Sequence, residues 1–461
     1  MRTAPYIMRG HQRGGALTHL GTRNPLGILP AGDSFIVVNG AGLMRQVAVS
    51  LVAVTLLGLA ATAYADKSAL DERSTSLADP RRFTHGIGAA HSGHQDVYIF
   101  YSRSSLAPDA EDSQVPWSHD VYVAVWNAAS GELGSSRIFI GEPEAQEPVS
   151  VAQNASGNIM LTLEDGWKAD HDVTQRYGVY DKHLEPVRPY PVEVEPGGHS
   201  GHVAAVGDSF VVAYSDGWVN FGGQDNLGSG NGVYAKVYDG SGVELHQIDI
   251  VHAQRAWWPV VAGGKTHAMV AWQELVGRRK LPQLKFALID AGSGELGPAT
   301  LLHNAVQYYT YNVSWLKAPE RFLVVGTADG HGFARVIDSR GRITASLSCL
   351  PATVREAGIA VQDGGSINAT AYAYIPAANG RLMQLRVEPT SLTLSGLLAP
   401  SGGKLVSWHP VGGTGLFASS GMLYWLSLTR GGVEQIRFDL ATKVGETTPP
   451  LGRPLGGSAC Q

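Results

Sequence analysis

Residues 201–218, GHVAAVGDSFVVAYSDGW, and residues 231–245, NGVYAKVYDGSGVEL, read as two hairpins joined by a polar loop. Apolar runs of about five residues are interrupted by Gly207-Asp208 and by Asp239-Gly240-Ser241-Gly242. Such Gly and Asp turns supply the positive φ of a tight hairpin. The unit is therefore strand, turn, strand, loop, strand, turn, strand.

The same grammar extends outward in both directions. A small apolar strand followed by a second apolar strand recurs at residues 85–102, 147–166, 201–217, 258–274, 311–330, 357–374 and 414–428. Aligning Ile87, Val149, Val203, Val260, Val313, Ile359 and Leu416 gives successive steps of 62, 54, 57, 53, 46 and 57 residues. A second hairpin follows each instance, as in residues 283–302, QLKFALIDAGSGELGPATLL. Its strands alternate apolar and polar positions, as Lys285-Phe286-Ala287-Leu288-Ile289 does in part.

Seven units of four strands predict an all-β fold, a seven-bladed β-propeller of four-stranded antiparallel blades. One such sheet is apolar on both faces and cannot bury itself, so the sheets stack around an axis. The 57 glycines against 24 prolines, with only 16% charged residues, agree with short strands and turns. Either residues 66–82 add a strand to the last sheet, or that sheet is complete in itself. The pattern resembles secreted seven-bladed propellers across nearly the whole of residues 66–461. It carries no repeated Trp-Asp pair, no kelch double glycine and no sialidase box, so the resemblance is one of fold, and fold does not carry function.

The N-terminal part reads differently. Met44-Arg45 precedes an apolar run and Ala63-Tyr64-Ala65, the layout of a secretory signal peptide over residues 44–65, cleaved after Ala65. The run is short for a membrane span. Residues 1–43 are expected to be an over-extended start, and residues 66–461 a single propeller that is secreted or periplasmic. Removing residues 1–65 takes away five arginines and one acid, Asp33, so the net charge moves from −5 to −9. An acidic chain without a basic run argues against nucleic acid as a partner. In an oxidising compartment the two cysteines, Cys349 and Cys460, are expected to pair and pin the tail. The chain is expected to be a monomer that does not span a membrane.

In a propeller the starts of the innermost strands and the loops between strands two and three share one face. The strand starts carry His85, Gln146-Glu147, His199 with His202, Arg255 with Trp257-Trp258, Tyr308, Tyr309 and Tyr311, Arg355-Glu356, and Trp408-His409. The loops after strand two carry Asp165 with Trp167 and Asp216 with Trp218. Convergent polar and aromatic groups in a concavity mark a ligand site. The candidate binding set is His85, Glu147, Asp165, Trp167, His199, His202, Asp216, Trp218, Arg255, Trp257 and Tyr309. Acids beside aromatic faces suit a sugar ring. The expected function is an exported module that binds a carbohydrate or a protein on the axial face of blades 1 to 4. The alternatives are a polysaccharide hydrolase or lyase using carboxylates, His or Tyr there, and a structural scaffold of an envelope complex.

No P-loop, G-x-S-x-G or H-E-x-x-H is present, and no cofactor is expected. His91-Ser92-Gly93-His94 with Asp96 has the look of a metal site, and the HSGH string returns at residues 199–202. The two copies occupy different places in the repeat, and no metal is expected.

Overall fold

The computed structural model describes residues 84–94, 96–105, 118–143, 145–165, 173–216, 232–253, 255–277, 281–363, 369–399, 422–429 and 432–439. The expected leader, Trp167, Trp218 and Cys460 lie outside the described residues. So do residues 66–82, Trp408 and His409.

Seven antiparallel sheets follow one another along the chain. Blade 1 holds β1 (Thr84–His91), β2 (Val97–Ser104) and β3 (His119–Asn127). Its outer edge is split into β4 (Glu132–Leu133) and β5 (Arg137–Ile140), both paired with β3, where the repeat predicted one strand. Blade 2 holds β6 (Glu147–Gln153), β7 (Ile159–Asp165), β8 (Thr174–Tyr180) and β9 (Pro186–Pro196). Blade 3 holds β10 (His199–Val206), β11 (Ser209–Asp216), β12 (Gly232–Tyr238) and β13 (Glu244–Val251). Blade 4 holds β14 (Ala256–Gly263), β15 (His267–Glu274), β16 (Gln283–Asp290) and β17 (Thr300–His303). Blade 5 holds β18 (Asn312–Leu316), β19 (Arg321–Ala328), β20 (His331–Ile337) and β21 (Ile343–Leu350). Blade 6 holds β22 (Ala360–Asp363), β23 (Ala371–Pro376), β24 (Leu382–Val387) and β25 (Leu392–Leu398). Among the described residues blade 7 shows β26 (Met422–Thr429) and β27 (Gly432–Asp439).

The fold is the seven-bladed propeller that the repeat predicts. Middle strands such as β7 and β12 are buried at every position, because a blade has a neighbour on each face. Outer strands bury alternate residues only, as β13 does through Ile248 and Ile250.

Each gap between blades has its own apolar core. Phe100 and Val121 of blade 1 meet Leu161 and Leu163 of blade 2. Tyr177 of blade 2 meets Phe210 and Tyr214 of blade 3. Val211 and Val237 of blade 3 meet Val270 and Trp272 of blade 4, whose Phe286 in turn meets Phe322 and Phe333 of blade 5. Leu323 and Val336 of blade 5 meet Ile375 and Leu385 of blade 6, and Tyr374 of blade 6 meets Leu423 and Trp425 of blade 7. Tyr424 and Leu426 of blade 7 then pack on Ile87, Ile99 and Trp126 of blade 1. That seventh core closes the ring, so no blade is left with a bare apolar face.

Polar contacts secure the same closure. Trp126 Nε1 donates to Gln435 Oε1 at 3.0 Å, and Gln435 Nε2 donates to the Gly131 carbonyl at 2.8 Å. Thr84 Oγ1 donates to the Thr429 carbonyl at 2.7 Å.

A second regularity sits at the axial end. His85 pairs with Ser102, Glu147 with Glu164, His199 with Ser215 and Trp257 with Gln273, and immediately beyond each pair the register slips. Such a bulge bends the strand, re-aims its side chains and takes backbone groups out of the ladder. The second-strand partner serves the next blade. Ser102 Oγ accepts from Val149 N (3.1 Å), Glu164 Oε1 from Ser200 N, Ser215 Oγ from Trp258 N (3.1 Å) and Gln273 Oε1 from Tyr309 N (3.4 Å). Blade 5 continues the series, with Thr327 Oγ1 accepting from Thr353 N at 2.8 Å. In blade 1 the bulge falls at Gly86, whose φ of 68° and whose place against the Val149 backbone, 2.6 Å from an added Cβ, both exclude a side chain.

Candidate functional site

The bulged strand starts assemble one continuous chain of contacts around the axis. His85 of blade 1 donates through Nδ1 to Glu147 Oε2 of blade 2 at 2.7 Å. Its Nε2 lies 3.6 Å from Glu356 Oε2, just ahead of blade 6. Arg355 Nε is 3.4 Å from Glu356 Oε1, and the guanidinium stands over the Tyr309 ring, 4.4 Å from its centroid. Tyr309 also accepts a bond from Trp257 Nε1 at 3.1 Å and meets the Trp258 ring edge to face at 4.5 Å. Trp258 reaches the His202 ring of blade 3 at 6.2 Å. From there Ser200 leads to Glu164, which faces Glu147 across β6 and β7 and completes the circuit. Six blades thus contribute to one ring of side chains.

Burial sorts the ring into a floor and a mouth. Glu147, Glu164, His199, Trp257, Tyr309 and Glu356 are buried. His85, His202, Trp258, Tyr308 and Arg355 are half-buried, and Arg255 is exposed. The titratable groups of the ring are held in unlike protonation states. Burial works against a charged His85, but Glu147 and Glu356 outweigh it and raise the imidazole to about 10. Burial works to raise Glu147, but the charge and hydrogen bond of His85, helped by His119, hold it below the ordinary carboxyl range. Glu164 is pushed up to about 8 by burial, with the charge of Glu147 adding to the shift. Burial alone drives His199 down to about 3, a neutral imidazole whose Nδ1 is 3.0 Å from Ser200 Oγ. At neutral pH the ring therefore holds an ionised carboxylate, a protonated carboxyl and an imidazolium side by side.

The remaining candidates lie elsewhere. Asp165 turns sideways within blade 2, paired with Arg176 Nη1 at 2.7 Å and bonded by the Tyr190 hydroxyl. Asp216 ends β11, the place that Asp165 holds on β7. Arg255 has φ 67° and points its guanidinium toward the Gly277 carbonyl at 3.5 Å. Glu356 and Glu164 are in the ring although neither belonged to the candidate set. The strand-start pattern marks Arg355-Glu356, whereas Glu164 sits on a second strand beside the more conspicuous Asp-Gly turn.

No protein-family profile and no curated protein matches the chain. Among solved structures, the BP39L lectin from Burkholderia pseudomallei superimposes with a TM-score of 0.52 at 10% identity, over 78% of this chain and 97% of that one. Kuenenia stuttgartiensis hydrazine synthase gives 0.47 at 12% identity, over 77% and 96%. The β-propeller domain of the Trilobed protease from Pyrococcus furiosus gives 0.41 at 10% identity, over 81% and 99%. What the chain shares with the lectin at this identity is its β-propeller fold.

Proposed function

We propose that the chain is an exported propeller that binds a saccharide on its axial face. The observation that carries this reading is the ring itself. It sets the half-buried Trp258 against the His202 ring and Tyr308 against Trp257 and Tyr309, with Arg355 over Tyr309 and His85 joined to Arg355 through Glu356. An aromatic face accepts the C–H side of a sugar, and fixed polar groups around it read the hydroxyls. The reading rests on this ring rather than on the lectin that shares the fold. Binding to a glycan array by the purified protein tests it, with Trp258→Ala and Tyr308→Ala as variants. About tenfold weaker binding in both supports the reading, and unchanged binding removes these rings from the site.

A second reading has its own observation. Glu147 and Glu164 are neighbours whose environments push their protonation apart, the arrangement by which one carboxyl becomes an acid and another a charge stabiliser. On this reading the protein is a polysaccharide hydrolase or lyase. Release of new chain ends from a bound polysaccharide, lost in Glu164→Gln while binding persists, separates the enzyme from the binding module. A scaffold without a ligand would show neither binding nor turnover.

A further inference from the structure

We infer that the ligand of this face is an acidic saccharide, whose carboxylate or sulfate groups are read by Arg355 and His85 while its rings lie on Trp258 and Tyr308. The inference rests on the saccharide reading above and names the class of sugar.

The argument is one of charge. Every acid in the ring is already engaged. Glu147 is bonded to His85, Glu356 lies against both His85 and Arg355, and Glu164 accepts the Ser200 N–H. All three are buried. Among the described residues the charged side chains of the ring that reach solvent furthest are the cations, His85 at 20% and Arg355 at 19% exposed against 7% for Glu147 and 6% for Glu356, and Arg255 ahead of β14 is exposed. His85 is kept protonated by its two carboxylates, and Glu164 is kept neutral by burial, so the floor adds no surplus negative charge. The acid Asp216 ends β11 and Asp329 follows β19.

The partly exposed cations His85 and Arg355 sit in a chain whose net charge is −5, and a cation at a cleft attracts ligands of opposite charge. Arg355 is also pre-organised. Its stacking over Tyr309 fixes the guanidinium plane, and a planar fork suits a carboxylate or sulfate better than a neutral hydroxyl.

The test compares paired polymers that differ only in charge: polygalacturonate against its methyl ester, and dextran sulfate against dextran. Affinity is read by calorimetry on the purified protein, with Arg355→Gln and the exposed Arg255→Gln as variants and melting curves as the folding control. The expected result is at least about tenfold preference for one acidic polymer over its neutral partner. That preference should shrink as salt is raised and be lost in Arg355→Gln. Which acidic polymer binds tells carboxylate from sulfate. Equal binding of the charged and neutral members overturns the inference and leaves the saccharide reading standing. Acidic preference that survives both arginine variants in folded protein also overturns it, because the charge is then read elsewhere. Binding of neither sugar, charged or neutral, overturns both readings.

Discussion

Glu147 and Glu164 stand directly opposite each other on β6 and β7, both buried, and only Glu147 is held ionised at neutral pH. Like charges at facing positions of a sheet repel. Here the conflict is relieved because His85 neutralises one carboxylate while burial keeps the proton on the other.

Glu164 makes the fold alkali-sensitive. Its folded value of about 8 lies above the ordinary 4.5, so the unfolded chain loses its proton first. The contribution to stability is complete below about pH 4.5 and is lost as pH rises to about 8. Glu164→Gln keeps an oxygen for Ser200 N and has no proton to lose. The variant is expected to gain on the wild type by a few kcal/mol between about pH 5 and pH 8, read from denaturant unfolding at each pH.

His85 extends the same trend to higher pH. Its folded value of about 10 exceeds the ordinary 6.5, so its stabilisation is full below about pH 6.5 and gone above about pH 10. His85→Gln at pH 7 leaves Glu147 buried without its cation, at a cost of about 3–5 kcal/mol. His85→Gln combined with Glu147→Gln is expected to recover much of that loss, giving a coupling well outside additivity.

The hydrogen bonds between blades are expected to matter individually. Ser215→Ala leaves Trp258 N without its acceptor, and Ser102→Ala does the same to Val149 N. Each is expected to cost about 1–3 kcal/mol in chemical unfolding. Only Ser215→Ala is expected to change Trp258 fluorescence.

Closure depends on few groups. Gln435 holds both Trp126 and the Gly131 carbonyl, linking blade 7 to blade 1 across 304 residues of sequence. Gln435→Leu is expected to strand the buried Trp126 N–H and loosen that one seam. The readout is faster proteolysis at blades 1 and 7, with blades 3 to 5 protected as before.

Much of this architecture is legible in the sequence, and particular residues show where legibility stops. The period-two strands and Asp-Gly turns reveal the blades, and the polar strand starts reveal His85, Glu147, His199, Trp257 and Tyr309. Side chains in a strand alternate faces, so a shift of one residue decides everything. Asp165, singled out by its turn, faces Arg176 and Tyr190, while Glu164 beside it faces Glu147. The bulges after His85, Glu147, His199 and Trp257 leave no sequence signal strong enough to fix which neighbour faces the axis. Glu356 becomes a partner of His85 only through closure of the ring.

On the proposed function, side chains from separate blades act as one binding site around the axis. Calorimetric titration with polygalacturonate and dextran sulfate, repeated on His85→Gln, Trp258→Ala and Arg355→Gln, tests it most directly. These variants alter blade 1, blade 4 and the approach to blade 6. Weakening of the same binding event by about tenfold or more in all three folded variants is the predicted result. Binding that depends on at most one of them, or no binding in the wild type, contradicts the account.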